Sequence, residues 1–474
     1  MLRALCTKEL RLALRSRRVA WAGAVMFALC GVAAASGTLE HQARAEEHRR
    51  LVEFAEASFA GQRADHPHTI AHNGYVVSRP PAPLGHLDAG IETAYGRWLR
   101  LDAHQTRPLS GTRTTEIARG PGAGRFDLGL LLAVFGPVVI VLLVFDQVAR
   151  ERNNGTLAML SSAGLGLGPF VVSKAFGAAV RAGLAIGVPA LVATALATLA
   201  VGSVDLARLA AWFAAHAVAL AVWGAIVLAI SAFSASARQA LVTGFAVWGT
   251  LALFVPPVSG AVSQLVAPVA PPGEQMVKAA EWAESAHAQS EALRDRALAE
   301  IRRRHPEWDG KGEPPEVVDA VMLALADRDA TSKMNAMFAA LDAEQDRQER
   351  WAAALAFVSP SGLASLASSA IAGSDLAHMR FAFLHYEAYR QELMGWFNAW
   401  WAKEGRGGFE AYGDEKKFDD FEAAPRPTVP RVDLPFSLTR AAMSVALLAV
   451  AFVIGALAFA ASARRALATA GGRA

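Results

Sequence analysis

Six stretches of this chain run long enough without an Asp, Glu, Lys or Arg to cross a lipid bilayer, which constrains its fold more than any other feature. They are residues 19–39, 128–145, 182–204, 209–237, 239–273 and 441–463. About 20 apolar residues carry a helix through the hydrocarbon layer. A backbone there must satisfy its own hydrogen bonds, and none of the runs alternates as a barrel strand would, so each reads as a helix. The expected fold is an all-α polytopic membrane protein with spans at 19–39, 128–146, 170–204, 207–234, 238–258 and 438–463. The third span crosses Lys174, placed at the interface, and the fifth stops near the Pro256-Pro257 pair. Composition agrees: 53% of residues are hydrophobic and 19% charged, against about a quarter charged in soluble domains. A net charge of +3 on 474 residues gives no electrostatic case for nucleic acid. Cys6 and Cys30, the only cysteines, supply neither a disulfide framework nor a thiolate metal site.

Basic residues orient the spans. Arg3, Lys8, Arg11, Arg15, Arg17 and Arg18 face one acid, Glu9, in the first 18 residues. That end is expected in the cytoplasm, with residues 1–18 forming an amphipathic helix along the membrane surface. Ala33-Ala34-Ala35-Ser36 offers small residues for signal cleavage, but the basic region and the apolar run are both too long for a signal peptide. Six crossings then put Arg150/Arg152, Arg238 and a 464–474 tail inside, and segments 40–127 and 259–437 outside.

The second span runs into FDQVARERNNGTLAML, residues 145–160, where Asp146, Arg150, Glu151 and Arg152 crowd into seven positions. Asn153-Asn154-Gly155 should break a helix and Thr156 should cap the next, giving a helix–turn–helix connector over 147–169. Together with the Lys8–Glu9–Leu10 triplet, this stretch resembles the permease subunits of type-2 ABC exporters. In that family the Arg-Glu-Arg-x-x-Gly-Thr-Leu segment touches the ATPase subunit. The resemblance assigns coupling to Glu151, Arg152, Gly155 and Thr156, with Asp146, Arg150 and Asn153 beside them. The residues alone allow a second reading, a solvated turn that only fixes topology.

A second stretch narrows the resemblance. His72, Gly74, Tyr75, Pro80, Leu87, Asp88, Gly90, Gly96 and His104 are similar to the first outer loop of a subgroup with a large periplasmic domain between spans five and six. That subgroup is related to the membrane subunit of the ABC system that matures nitrous-oxide reductase and to gliding-associated permeases. The resemblance implies a bacterial inner membrane, two copies of an ATPase subunit, a second permease copy or paralogue, contact with membrane lipid and a role for a periplasmic partner. The chain holds no Gly-x-x-x-x-Gly-Lys-Ser/Thr, so no cofactor is expected on it; ATP and Mg belong to the partner ATPase.

Seven of the twelve histidines fall within 39–126, His66, His68, His72, His86 and His104 among them, with Asp65, Asp88 and Asp102 nearby. Zinc or copper could use such groups. No helical i, i+4 histidine pairing stands out at the strongest positions, and the expectation is no metal site. Residues 274–304 and 316–356 have helical composition and should form outer helices. Phe381, Phe383, Tyr386, Tyr389, Trp396, Phe397, Trp400 and Trp401 form a stripe expected to be a core face. No nucleophile, base and acid assemble in the outer segments, and Ser359-Pro360-Ser361-Gly362 is a weak serine motif at a helix boundary. Span centres without charge disfavour an ion-coupled carrier; His216 reads as a packing residue. Export of an amphipathic molecule and mechanical action on a periplasmic partner are the two expected outputs. The competing class is a membrane-anchored structural or sensory protein with no ATPase.

Overall fold

The computed structural model describes residues 1–62, 67–92, 97–103, 126–202, 204–271, 290–404 and 423–471, with 274, 277, 278 and 281. Gly96 and His104, like Asp65 and His66, lie outside them.

The fold is helical almost throughout, and six helices are long and apolar enough to cross a membrane. They are Arg17–Ala60, Leu128–Asn153, Leu167–Val201, Leu206–Phe233, Ala237–Val266 and Leu434–Ala470. A short helix, Leu2–Leu14, precedes them. It packs on the start of the third span, and Arg152 and Ser161 reach residues 232–234 and Leu467, so these segments share one end of the bundle. We call it the basic face. The opposite end carries two short strands and the added helices, and we call it the domain face.

Three spans contain a π-helical stretch, Leu131–Phe135, Gly183–Gly187 and Gly249–Phe254, each just ahead of a proline: Pro137, Pro189 and the Pro256-Pro257 pair. Proline has no N–H and its ring crowds the carbonyl of the preceding turn. A widened turn relieves that crowding without ending the helix. The fifth span therefore passes Pro256-Pro257 and continues to Val266, beyond the stop its sequence suggested.

The helix that carries the first span likewise continues past residue 39. Arg17–Ala60 is one helix of 44 residues, roughly 66 Å long at about 1.5 Å per residue. Beyond the apolar run it is supported by i, i+4 ion pairs, Arg44 with Glu40, Arg49 with Glu53 and Arg50 with Glu46. Its far end meets an aromatic core. Strand β1 (Tyr75–Ser78) pairs antiparallel with β2 (Trp98–Leu101), Tyr75 opposite Leu101. Helix Leu376–Glu404 lies across them, burying Tyr386, Tyr389 and Phe397 against Phe59, Tyr75 and Leu101. Helices Ser290–Arg304 and Val318–Leu355 close a second core on Trp401. The aromatic stripe is thus a core face.

Residues 259–437 do not lie wholly beyond the bundle. Helix Val318–Leu355 runs beside Val255–Val266, the chain turns at Ala356–Val358, and helix Pro360–Ala372 returns along the fourth and sixth spans. Ser359 Oγ donates to the carbonyl of Leu251, near the middle of the fifth span, at 2.5 Å. Trp223 Nε1 donates to Ser361 Oγ at 3.2 Å. The hairpin tip therefore sits at mid-bundle depth. Residues 351–374 carry no charge, as that depth requires.

Candidate functional site

At the basic face Glu9 is buried to 2% exposure although it belongs to a surface helix. Gly177 makes this approach possible, since a Cβ there would meet Glu9 Oε2 at 2.8 Å and Glu9 Cβ at 3.1 Å. Glu9 accepts from Lys174 Nζ at 2.7 Å and from Arg181 Nη2 at 3.1 Å. Lys174 also reaches Glu151 Oε1 at 2.8 Å, and Lys8 Nζ donates to the same oxygen at 2.5 Å. Two acids and three bases thus join the N-terminal helix, the third span and the connector. Removing one of its buried members, Glu9 or Lys174, leaves uncompensated charge, which costs about 3–5 kcal/mol.

A second cluster lies alongside. Asp146 accepts from Arg18 and Arg150, each at 2.7 Å, and the Arg18 guanidinium stands 5.6 Å from the Phe145 ring centroid. Ser231 Oγ accepts from the backbone N–H groups of Val148 and Ala149. Arg152 donates to the carbonyls of Ala232 and Ser234, covering the exposed end of the fourth span.

The connector itself is a short helix, Ala149–Asn153, a turn, and a second helix, Thr156–Ser162. Gly155, at φ +74°, occupies the cap position in the left-handed region. Thr156 starts the helix without capping it, so the expected cap is corrected: the geometry demands a residue tolerant of positive φ. Asn153, Asn154 and Gly155 are exposed, and Met159 stands 63% exposed beside them. Asp146, Glu151 and Arg152 thus bind the bundle and Arg150, itself exposed, pairs with Asp146, while Asn153, Gly155 and Met159 form an uncovered tip. Sequence reasoning missed Met159, Lys174 and Arg181. Lys174 was placed at the interface because periodicity does not reveal that its partner is 165 positions away.

At the domain face the outer signature has a structural task. Gly74, at φ +72°, lets the chain turn into β1 beneath the Leu101 carbonyl. The Tyr75 hydroxyl donates to Glu56 at 2.9 Å. Pro80 lies beside Arg44, Arg79 and Glu92. The loop of residues 84–91 is sewn to its surroundings by backbone bonds: Leu84 N to Ala372 O, Ile91 N to Ser374 O and Gly129 N to Leu87 O. Leu87 is fully buried, and Gly90, at φ +47°, sits where a Cβ would meet the Ser374 carbonyl at 2.5 Å. His72 is paired differently from the expectation. It and His68 are i, i+4 neighbours on helix Pro67–Asn73, with Nε2 atoms 2.9 Å apart. Among the described residues no group of three or more metal-binding side chains forms.

An Asp–His–Ser chain does assemble, contrary to expectation. Asp375 Oδ1 bonds His378 Nδ1 at 2.5 Å, and His378 Nε2 meets Ser437 Oγ at 2.8 Å. Burial works against the Asp375 carboxylate, but its bonds to His378 prevail and hold it below the usual carboxylate range. Ser437 is fully buried, and Arg208 Nη1 donates to its Oγ at 2.7 Å. That geometry is a cross-link between the fourth span, the added helices and the last span, with no access for a substrate to the hydroxyl.

Six spans, an N-terminal surface helix anchored by buried Glu9 and a connector with an uncovered tip form the frame in which the comparison with known families is decisive. The family model described as ABC-2 family transporter protein matches residues 3–464. The chain belongs to the ABC-2 transporter family. Proteins of this family are membrane subunits of transporters, are generally not catalytic themselves, and normally work with an ABC ATPase subunit. No curated protein and no solved structure matches the chain.

Proposed function

We propose that this chain is the permease subunit of an ATP-driven transporter, and that residues 146–165 pass the closure of a separate cytoplasmic ATPase subunit into the bundle. The observation that carries this reading is the Glu9–Lys174–Glu151 network. It ties the uncovered connector tip to two helices, so a push on the tip moves the N-terminal helix and the third span together. ATP and Mg are bound by the partner, two copies of which serve a pair of permeases, identical or paralogous. The basic face lies in the cytoplasm of a bacterial cell and the domain face in the periplasm. Continuity of Arg17–Ala60 from one face into the aromatic core favours mechanical action on a periplasmic partner over simple export.

Purification in mild detergent from native membranes, with mass spectrometry and an ATPase assay, tests this. Met159→Glu puts a charge on an exposed tip without disturbing packing. It should weaken retention of the ATPase by about tenfold or more, as loss of an interface anchor does. Glu151→Ala should lower ATPase turnover. If no ATPase accompanies the chain and neither variant changes anything, the connector is a topological turn and the chain acts as an anchored structural or sensory protein.

A further inference from the structure

Asp88 lies on the 84–91 loop, buried against helix Pro360–Ala372. Its Oδ1 accepts from the N–H of Gly90 at 2.9 Å, and its Oδ2 bonds Ser368 Oγ. Ser368 Oγ has two further neighbours on the fourth span, Trp212 Nε1 at 2.7 Å and His216 Nε2 at 3.1 Å. One hydroxyl thus joins a carboxyl, an indole and an imidazole from three segments. Among the described residues no cation pairs with Asp88, and His216 Nδ1 has no partner.

Proton counting at Ser368 gives the chain two self-consistent states. Trp212 can only donate, so it holds one lone pair of Oγ throughout. With Asp88 ionised, Ser368 must donate to Asp88, and His216 must donate from Nε2. With Asp88 protonated, the carboxyl O–H donates to Ser368, whose own proton turns to His216 Nε2, and the imidazole proton sits on Nδ1, where it finds no acceptor among the described residues. One proton on Asp88 therefore reverses every bond of the chain except that from Trp212.

We propose that Asp88, Ser368 and His216 form a buried proton-binding site that fastens the 84–91 loop to the Pro360–Ala372 helix when Asp88 is protonated and loosens it when Asp88 is ionised. The ligand is a proton from the solvent at the domain face. Two hydrogen bonds are few for a carboxylate in an apolar layer, and the ionised form is the one that suffers. Burial first, then the Asp127 carboxylate at the head of the second span, push Asp88 up to about 7, with Glu92 adding to the rise against the bonds from Ser368 and Gly90. The other groups facing this site are accounted for. Asp127 accepts from Ala89 N and Leu130 N, and Glu92 is held by Arg44 and Arg79 at 2.9 and 2.8 Å. His86, on the same loop, packs its ring edge-on against His41 of the first helix, and burial with that neighbour lowers it to about 4. Arg208 is committed to Ser437 and to the carbonyls of Ile371 and Val432.

The sign follows from linkage. An ordinary Asp titrates near 4, so between about 4 and about 7 the folded chain holds a proton that the unfolded chain has lost. Stability contributed by this site is full at low pH and falls as pH rises through about 7. His86 acts oppositely, destabilising below about 6.5 as the unfolded chain takes up its proton. Substitution of Asp88 separates the two.

The experiment uses the full-length chain in lipid nanodiscs, with melting temperature and hydrogen exchange of residues 84–91 followed from about pH 5 to about pH 8.5. Wild type should loosen in this loop as pH passes through about 7. Asp88→Asn, uncharged at every pH, should remove that step and keep low-pH protection throughout. Ser368→Ala deprives the ionised form of its donor and should move the midpoint upward, whereas Asp127→Asn should move it downward. An infrared carboxylic-acid band that vanishes near pH 7 in wild type and is missing in Asp88→Asn reports the proton itself. A pH-independent loop in wild type, a step that survives Asp88→Asn, or a midpoint indifferent to both Ser368→Ala and Asp127→Asn overturns the proposal.

Discussion

At the scale of single residues, Glu9 carries more than its position in a basic surface helix suggests. Glu9→Gln keeps the shape but removes the carboxylate that pairs with Arg181 and leaves Lys174, only 3% exposed, with Glu151 as its one remaining acid among the described residues. We expect about 3–5 kcal/mol of destabilisation, read as a lowered melting temperature in detergent, and partial recovery when Lys174→Met is added. Lys8→Ala, whose side chain is 38% exposed, should do far less. Equal stability of Glu9→Gln and wild type would refute the role given to this network. Asp146, Glu151 and Arg152 were legible in the sequence because they stand out against an apolar run. Glu9, Lys174 and Arg181 were not, since each is charged near a membrane end, where solvation is the ordinary expectation, and only the fold brings them together.

At the scale of elements, all six spans have a strand of argument in common: long uncharged runs announce a crossing whatever the tertiary packing. Their ends were less legible. Proline usually stops a helix, but here π-helical turns at 249–254 and 183–187 absorb Pro256-Pro257 and Pro189. The uncharged run of the first span ends at Leu39, while its helix continues on ion pairs that hydropathy ignores. The hairpin around Ser359-Pro360 was hidden because its 24-residue uncharged run is rich in Ala and Ser and is broken at its centre, so it read as part of an outer helix and a weak serine motif. Its depth gives a prediction. Val358 is 56% exposed at the tip, beside the fifth span, and Val358→Lys should cost about 2–3 kcal/mol or more if hydrocarbon surrounds it. Val429→Lys, on a site of similar exposure at the domain face, should be close to neutral. Comparing the yield of folded, membrane-inserted protein for the two variants decides the matter, and equal yields would return the tip to water.

At the scale of the whole molecule, the proposed topology predicts that the two faces lie on opposite sides of the membrane. In a cysteine-free background (Cys6→Ser with Cys30→Ala), single cysteines at Asn154 and at Val429 should react with a membrane-impermeant thiol reagent from opposite sides of oriented vesicles. Asn154 should be reached only from the cytoplasmic side; labelling of both from one side would break the alternation of the six helices. In the sequence this expected arrangement rests on the basic flanks of the spans. It did not carry the small β-sheet, whose two strands of four residues each lie among Gly, Pro and His, where alternation has no length to show.

Under the mechanical reading proposed above, the uninterrupted helix Arg17–Ala60 would work as a lever hinged at one end. The hinge of that lever would be Ser16, the N-cap at which the chain leaves the short N-terminal helix, and Gly37 bears closely on the His86 backbone partway along. A tilt of about 5° at the pivot displaces the far end by roughly 6 Å, because the arm is roughly 66 Å long. Movements too slight to break an ion pair at one face thus become displacements the length of a side chain at the other.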